Sequence, residues 1–315
     1  MLKKFVLFIG LVFIIIGGVL FAITIKAKIK ERDKDLITKD YTYTEDINDI
    51  ELDLFISDVE IKKAEDGKTT VVCYETEELY HEVSYKDNKL VVEEKDNRSF
   101  FNKFVTFFTP KMRVVISLPE DAYDNLKIVL ATGDVNVAKG IQYTDAYIKT
   151  STGDIYFCAL VTNTLEVSVS TGDVKISDTN MKNIKISGGT SGVDIEKVNV
   201  SEDINVNIST GKTKLTDSTC KNIDIKTSTG DVYFKNFVAS NGIKVKTSTG
   251  DVKFDKSDAD HLDIETSTGD VTGTLLSAKS FFTETSTGKS NVPKTTGGEC
   301  NIKTGTGNIN ITISE

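Results

Sequence analysis

The sequence predicts an all-β protein, in which a β-solenoid (β-helix) of about ten two-strand coils of 19–20 residues follows an irregular β cap and one N-terminal transmembrane helix. Three observations predict this fold. The phrase Ser-Thr-Gly-Asp-Val returns about every 19 residues, apolar residues keep constant positions around it, and an uncharged run of 21 residues precedes both. A fixed period of this length is typical of stacked units that bury their apolar faces only against their neighbours.

The first element is the uncharged run from Phe5 to Ile25, which is long enough to cross a membrane as a helix. The run is longer than the apolar core of a cleaved signal peptide, and no small-residue cleavage site follows it. We therefore expect residues 1–25 to be an uncleaved, single-pass membrane anchor. More Lys and Arg residues follow the run than precede it, which by count favours a cytoplasmic C-terminal side; long domains, however, translocate largely regardless of such charges. We expect the repeats to be extracytoplasmic.

The net charge changes sign along the chain. Residues 1–39 carry eight Lys and Arg and three Asp and Glu, which leaves 30 basic and 44 acidic residues, a net charge of −14, for residues 40–315. We expect a charged juxtamembrane linker over 26–39, a β-rich cap over 40–121 and the solenoid over 122–315. Because nucleic-acid binding needs a basic face, the acidic repeats exclude a nucleic acid as partner.

Each repeat is predicted to be two short strands joined by the Ser-Thr-Gly-Asp turn, because the apolar residues on both sides of the turn are spaced by two. A looser polar turn, such as Ser257 to Asp260, is expected to lead to the next unit. Glycine suits the tight turn because it adopts positive φ without a Cβ penalty. In one unit Ser191 replaces the glycine and Gly192 replaces the aspartate. The structural turn glycines are Gly133, Gly153, Gly172, Gly211, Gly230, Gly250, Gly269, Gly288 and Gly307.

The aspartate after the glycine forms two trios of successive coils. In a solenoid the carboxylates of each trio would stack about 4.8 Å apart, where they repel one another. A bridging Ca²⁺ would relieve the repulsion, although solvated turn carboxylates explain the pattern without a metal. The calcium ladder is therefore a secondary hypothesis, and its residues are Asp134, Asp154, Asp173, Asp231, Asp251 and Asp270.

The sequence offers little for catalysis. It contains two histidines, His81 and His261, so a histidine-based triad or metal cluster has almost nothing to use. All arginines lie outside the repeats, and the four cysteines are far apart, which favours isolated thiols over disulfides or a zinc site. We expect no catalytic residues, no cofactor and no enzymatic activity.

The repeat phrase, with Ile-x-Ile before it and Val-x-Phe after it, resembles the bacterial putative-adhesin family, a domain of unknown function built of β-strand repeats. The strand that ends in proline at Val114 to Pro119 resembles the segment that precedes the family's first repeat. The resemblance implies a β-repeat fold without established catalytic residues. It also implies an N-terminal membrane span in many members, and a link of some members to cell-envelope stress operons.

We therefore expect a non-enzymatic, membrane-anchored cell-envelope protein that presents a rigid acidic solenoid for adhesion, envelope-stress signalling or as a scaffold. The alternative is a polysaccharide-binding or carbohydrate-active β-helix protein. The expected partners are the membrane and an unidentified protein or cell-wall polymer. Ile309, Ile311 and Ile313 belong to the last coil and suggest an apolar edge there, at which two copies of the chain could associate edge to edge.

Overall fold

The computed structural model of the chain describes residues 36–98, 111–119 and 122–314. This part is all-β and forms a β-solenoid. The predicted membrane anchor lies outside the described residues, as does most of the predicted linker. Across the described ranges, no helix is both long enough and apolar enough to span a membrane.

The described residues form 25 strands. Their bounds are β1 Ile37–Tyr43, β2 Asp49–Leu54, β3 Asp58–Lys63, β4 Thr69–Glu75, β5 Leu79–Lys86, β6 Lys89–Asp96, β7 Arg113–Leu118, β8 Ala122–Thr132, β9 Val135–Val137, β10 Gln142–Thr152, β11 Ile155–Phe157, β12 Leu160–Thr171, β13 Val174–Thr190, β14 Val193–Val200, β15 Asp203–Thr210, β16 Thr213–Thr216, β17 Thr219–Thr229, β18 Val232–Lys235, β19 Val238–Thr249, β20 Val252–Thr268, β21 Val271–Leu275, β22 Lys279–Thr287, β23 Ser290–Asn291, β24 Gly298–Thr306 and β25 Ile309–Ile313.

Two parallel faces run the length of the solenoid. Face 1 holds the strands that precede each turn, in the order β6, β2, β8, β10, β12, β13, β15, β17, β19, β20, β24 and β22. Face 2 holds the strands that follow each turn, in the order β7, β3, β9, β11, β13, β14, β16, β18, β20, β21, β25 and β23. The long strands β13 and β20 bend and contribute to both faces.

The core consists of stacked columns of apolar side chains between the faces. Ile128, Ile148 and Val167 are fully buried one above the other on face 1, in the register that the repeat predicts. On the opposite side Phe234 and Phe254 stack with ring centroids 5.1 Å apart. Burying each such side chain contributes about 1.5–3 kcal/mol, so the columns supply most of the stabilisation of every coil.

Each coil has a third short side, which the repeat pattern did not predict. The segment from Ser257 to Asp260, expected to be a looser polar turn, continues strand β20 instead. Ser257, Asp258 and Ala259 are buried, and Ala259 pairs with Ala239 of the preceding coil. The expectation of a loose polar turn at Ser257 to Asp260 is therefore wrong, because this segment also pairs between coils and contributes to the core.

One further coil lies inside the region assigned to the cap. Strand β2 pairs in parallel with β8, and β3 pairs in parallel with β9, so residues 49–63 form a coil directly above the first predicted repeat. In this coil Ser57 occupies the glycine position, and Asp58 occupies the aspartate position. The chain then leaves the solenoid and returns at β8.

The N-terminal end is closed by antiparallel strands. On face 1, β5 pairs antiparallel with β6, and on face 2, β4 pairs antiparallel with β7 and with β1. The parallel stack therefore stops at β6 and β7. Among the described residues, the outermost strands of this end are β5 and β1.

The C-terminal end departs from sequence order. Strands β24 and β25 lie between the coil of β20 and β21 and the coil of β22 and β23. Ile309 and Ile311 are therefore fully buried and do not form the edge expected there. The edge is the coil of β22 and β23, whose inward-facing positions include Thr283, Thr285 and Ser290, and these tolerate water better than isoleucine does.

Candidate functional site

The turn glycines meet a double requirement. All nine predicted turn glycines lie at φ between 139° and 158°, a backbone region that other residues rarely adopt. The coils also approach closely at this point, since a Cβ at Gly230 would lie 1.8 Å from the carbonyl oxygen of Gly211. The glycine column thus serves the packing of one coil on the next.

The turn aspartates form a hydrogen-bonded column. Oδ1 of Asp134 accepts a hydrogen bond from the backbone N–H of Asp154 at 2.8 Å, and Oδ1 of Asp154 accepts one from the N–H of Asp173 at 2.8 Å. The second trio repeats the arrangement, with Asp251 bound to the N–H of Asp270 at 2.8 Å. Each carboxylate therefore satisfies a backbone donor of the neighbouring coil. This role accounts for the aspartates without a metal, and the calcium ladder stays a hypothesis.

A polar groove crosses face 1 between β15 and β24. It has a volume of about 390 Å³, and Asn222, Asp224, Lys244 and Asp263 are among the residues that line it. Gly242 forms part of the groove although no steric constraint demands glycine there, because a Cβ added at this position would lie 3.6 Å from its nearest neighbour. Oδ1 of Asp224 is buried and lacks a hydrogen-bond partner within the described residues. The lining offers hydrogen-bond donors and acceptors of the kind that bind a polar ligand.

A buried polar cluster lies where the cap meets the solenoid. Cys73 and Glu75 of β4, His81 of β5 and Glu94 of β6 all point inward, and Ser57 of the first coil joins them. All five side chains are at most 3% exposed. The alternating pattern of β4 placed Cys73 and Glu75 on the same side, but no spacing in the sequence brings His81 or Ser57 to them.

The cluster is a continuous chain of short contacts. Oγ of Ser57 lies 2.8 Å from Nε2 of His81, whose Nδ1 lies 3.0 Å from Oε2 of Glu75. Ser57 also donates to Oε2 of Glu94 at 2.9 Å. Oε1 of Glu75 pairs with the ammonium group of Lys39 at 2.6 Å, and this ammonium group is half-exposed. Burial lowers the pKa of His81, against the opposing effect of its hydrogen bond with Glu75.

The order serine, histidine, carboxylate is that of a hydrolase triad. Here, however, the hydroxyl proton of Ser57 goes to Glu94, and Oε2 of Glu94 also accepts from the backbone N–H groups of Phe55 and Ile56 at 2.9 and 3.1 Å. Ser57 thus donates its proton to Glu94, and not to His81 as a catalytic serine would. The same cluster contains three metal-ligating groups, since ligand atoms of Cys73, Glu75 and His81 lie within 4.8 Å of one another.

The family model of the Toastrack DUF4097 domain matches residues 47–217 and 212–315 of the chain. The chain belongs to the Toastrack DUF4097 family. The first match begins at the coil of β2 and β3 and so includes the coil that lacks the turn glycine. No curated protein matches the chain in sequence.

Several solved structures are similar in fold. A protein from Parabacteroides distasonis described as a putative lipid-binding protein has a TM-score of 0.50 at 14% identity and covers 75% of this chain and 94% of its own. A putative adhesin from the same species has a TM-score of 0.48 at 16% identity, with 89% and 97% covered. A putative adhesin from Bacteroides fragilis has a TM-score of 0.41 at 16% identity, with 89% and 98% covered. At these identities the similarity concerns the fold alone.

Proposed function

We propose that this protein is a non-enzymatic, membrane-anchored cell-envelope protein that presents its β-solenoid outside the cytoplasm as a rigid acidic spacer, for adhesion, envelope-stress signalling or assembly. The observation that carries the proposal is the continuous parallel stack from β6 and β7 to β22 and β23. Its backbone hydrogen bonds and buried columns join every coil to the next, and such a stack holds its two ends at a fixed separation.

The outward side of face 1 supports a presenting role. Lys244 pairs with Asp263 at 3.5 Å, and Lys246 pairs with Glu265 at 2.9 Å, across neighbouring coils. Such exposed pairs add little stability but keep a long surface soluble and free of apolar patches. The uncharged run at Phe5 to Ile25 would supply the membrane anchor.

The topology can be tested with a single introduced thiol. Ser228 is exposed near the end of β17, whereas Cys73, Cys220 and Cys300 are buried and Cys158 is only partly exposed. In intact cells that produce the Ser228→Cys variant, a membrane-impermeant maleimide should label the protein, and the parent chain should stay weakly labelled. Labelling of the variant only after cell lysis would place the repeats in the cytoplasm and contradict the proposal.

The groove on face 1 favours a second candidate function, the binding of a cell-wall polysaccharide. Sugar hydroxyl groups form hydrogen bonds with amide and carboxylate side chains such as those of Asn222 and Asp224. A Gly242→Gln variant would fill the groove without a backbone clash, and Asn136→Gln on face 2 is a matched control. Sedimentation with purified cell wall should then be lost for Gly242→Gln alone. If the parent chain does not sediment with cell wall, this candidate is wrong.

A further inference from the structure

We propose that Cys73, Glu75 and His81 form a binding site for a divalent transition-metal ion, with Zn²⁺ the best fit, at the junction of the cap and the solenoid. Thiolate, imidazole and carboxylate are the three ligand types that zinc accepts in proteins. The site is independent of the presenting function proposed above. Three features carry the inference: the direction of the hydrogen bonds, the spacing of the ligand atoms and the balance of charge.

The hydrogen bonds of Ser57 determine which ring nitrogen of His81 carries a proton. Oε2 of Glu94 accepts hydrogen bonds from two backbone N–H groups and from the hydroxyl group of Ser57. The single hydroxyl proton of Ser57 is therefore donated to Glu94. Oγ of Ser57 can then only accept from His81, so Nε2 of His81 carries a hydrogen.

The other ring nitrogen consequently needs a cation. Nδ1 of His81 faces Oε2 of Glu75 at 3.0 Å, and Glu75 also pairs with Lys39 and accepts the backbone N–H of His81 at 2.7 Å. A lone pair cannot face a carboxylate oxygen at this distance without a positive charge between them. A metal ion bound to both atoms supplies that charge.

The ligand atoms are spaced so that only small side-chain movements would bring them to a metal ion. Two ligands that lie about 2.0–2.1 Å from a tetrahedral zinc ion are about 3.3 Å apart, so Nδ1 of His81 and Oε2 of Glu75 need to separate by only about 0.3 Å. The sulfur of Cys73 lies within 4.8 Å of both groups. Ser57 would then orient the imidazole through Nε2, as the outer partners of metal-bound histidines generally do.

Charge balance supports the same ion. A zinc ion with the thiolate of Cys73, the carboxylate of Glu75 and a neutral His81 has no net charge, and Lys39 and Glu94 offset each other. Binding releases the thiol proton of Cys73 to solvent, and His81 binds through its unprotonated Nδ1. The half-exposed Lys39 can keep its contact with Oε1 of Glu75 or move into solvent.

The test uses the full-length chain in detergent, stripped with a chelator and titrated with Co²⁺ as a spectroscopic substitute for zinc. We expect one equivalent to bind, with the visible bands of tetrahedral cobalt and a near-ultraviolet band of thiolate-to-cobalt charge transfer. Zn²⁺ should displace the cobalt. Zn²⁺ at about 100 times its dissociation constant should raise the midpoint of thermal unfolding by about 5–10 °C.

Variants assign the ligands. Cys73→Ser should abolish the charge-transfer band, and His81→Gln should lower zinc affinity at least tenfold. Cys300→Ser is the matched control, because Cys300 is as buried as Cys73 and burial raises the pKa of both thiols to about 12. This variant should leave the charge-transfer band and the zinc affinity unchanged. Thermal unfolding in chelator verifies that each variant is folded.

Three results would overturn the proposal: no cobalt binding by the parent chain, binding without a thiolate band, or unchanged binding in both Cys73→Ser and His81→Gln. The first two results need no variant, so the proposal can fail even if the substituted chains do not fold.

Discussion

The two ends of the solenoid are closed differently. Antiparallel strands that do not follow the repeat close the N-terminal end, whereas the C-terminal end is a repeat coil that has exchanged places with its neighbour. The first solution adds the antiparallel strands β1, β4 and β5 and buries a cluster of charged groups beneath them. The second adds nothing and changes the inward side chains of one coil. An exposed stack end can therefore be covered by other strands, or several inward positions of its last coil can be polar while Phe281 and Val292 still pack against the core.

The two C-terminal coils differ in the side chains that they would expose to solvent at the end of the stack, and this difference accounts for their order. The coil of β24 and β25 is lined by isoleucines such as Ile302 and Ile309, which are at most 2% exposed. The coil of β22 and β23 has Thr283 and Ser290 at the corresponding positions, and their hydroxyl groups lie 2.8 Å apart. If the two coils kept sequence order, the isoleucines would face solvent. Any edge-to-edge association of two copies would now involve β22 and β23, and this stays a prediction.

The largest expected effect concerns the middle of the stack. Gly230→Ala should lower the free energy of unfolding by about 3–5 kcal/mol, because the new Cβ would lie 1.8 Å from the carbonyl oxygen of Gly211. Gly288→Ala meets a similar contact with Gly307 but has a coil on one side only, so the end coil can shift and the loss should be at most half as large. Chemical denaturation measures both. Equal losses would show that the end coil is held as firmly as the middle.

The second prediction concerns the lining of the exchanged coils. Ile302→Thr should cost about 2–4 kcal/mol of unfolding free energy, because it removes buried apolar volume and introduces a hydroxyl group into the core. Thr283→Val at the paired position of the end coil should change stability by less than about 0.5 kcal/mol. A small cost for Ile302→Thr would contradict the interior position of β24.

The third prediction tests the exchanged order directly. Thr306 pairs with Thr268 on one side and with Thr287 on the other, and all three side chains are exposed. Neighbouring strands lie about 4.8 Å apart, within reach of a disulfide, whereas strands two steps apart lie at about 9.6 Å. Thr268→Cys with Thr306→Cys should therefore cross-link under mild oxidation, and Thr268→Cys with Thr287→Cys should not. The reverse result would restore sequence order.

A smaller effect is expected along the aspartate column. Asp251→Ala should cost about 1 kcal/mol through the lost hydrogen bond to the N–H of Asp270, and Asp251→Asn should be nearly neutral. Asn308 already does this work in the chain, since its Oδ1 accepts from the N–H of Lys289 at 3.1 Å. Thermal melting in calcium separates the hypotheses. A calcium-dependent rise that Asp251→Asn abolishes would support the calcium ladder.

The smallest effect lies at the N-terminal end. Lys127 and Lys89 lower the pKa of Glu51, which joins β2 to both of its neighbours. Because the folded-state pKa is the lower one, the ion pairs stabilise the fold above the unfolded pKa of about 4.5, and this contribution is lost as the pH falls below it. For this partly exposed group it amounts to less than about 1 kcal/mol. Glu51→Gln should remove it at pH 7 and change little at pH 3, and Glu265→Gln is the exposed control.

Much of the solenoid follows from residue spacing. The turn glycines and the buried columns could be located because each coil repeats the same contacts with its neighbour. The repeat pattern did not reveal the coil of β2 and β3. Ser57 replaces the turn glycine there, and Asp58 accepts a hydrogen bond from Asp134, which is 76 residues away instead of 19 or 20. The apolar spacing around Asp58 was the remaining signal. The expectation that two histidines offer almost nothing for a metal cluster did not foresee the buried cluster at His81, whose side chains come from β4, β5, β6 and the turn at Ser57.

The sequence by itself determined the β-solenoid, the position of its turns and the side chains that fill its core, because these properties depend on a coil and its nearest neighbours and recur at every period. The tertiary structure alone decided the third side of each coil, the exchange of the last two coils and the meeting of Ser57, Cys73, Glu75 and His81. These features depend on which surfaces remain exposed once the whole stack has formed. The free energy of leaving a surface exposed depends on the two ends of the assembled stack, and the sequence of a single repeat does not determine it.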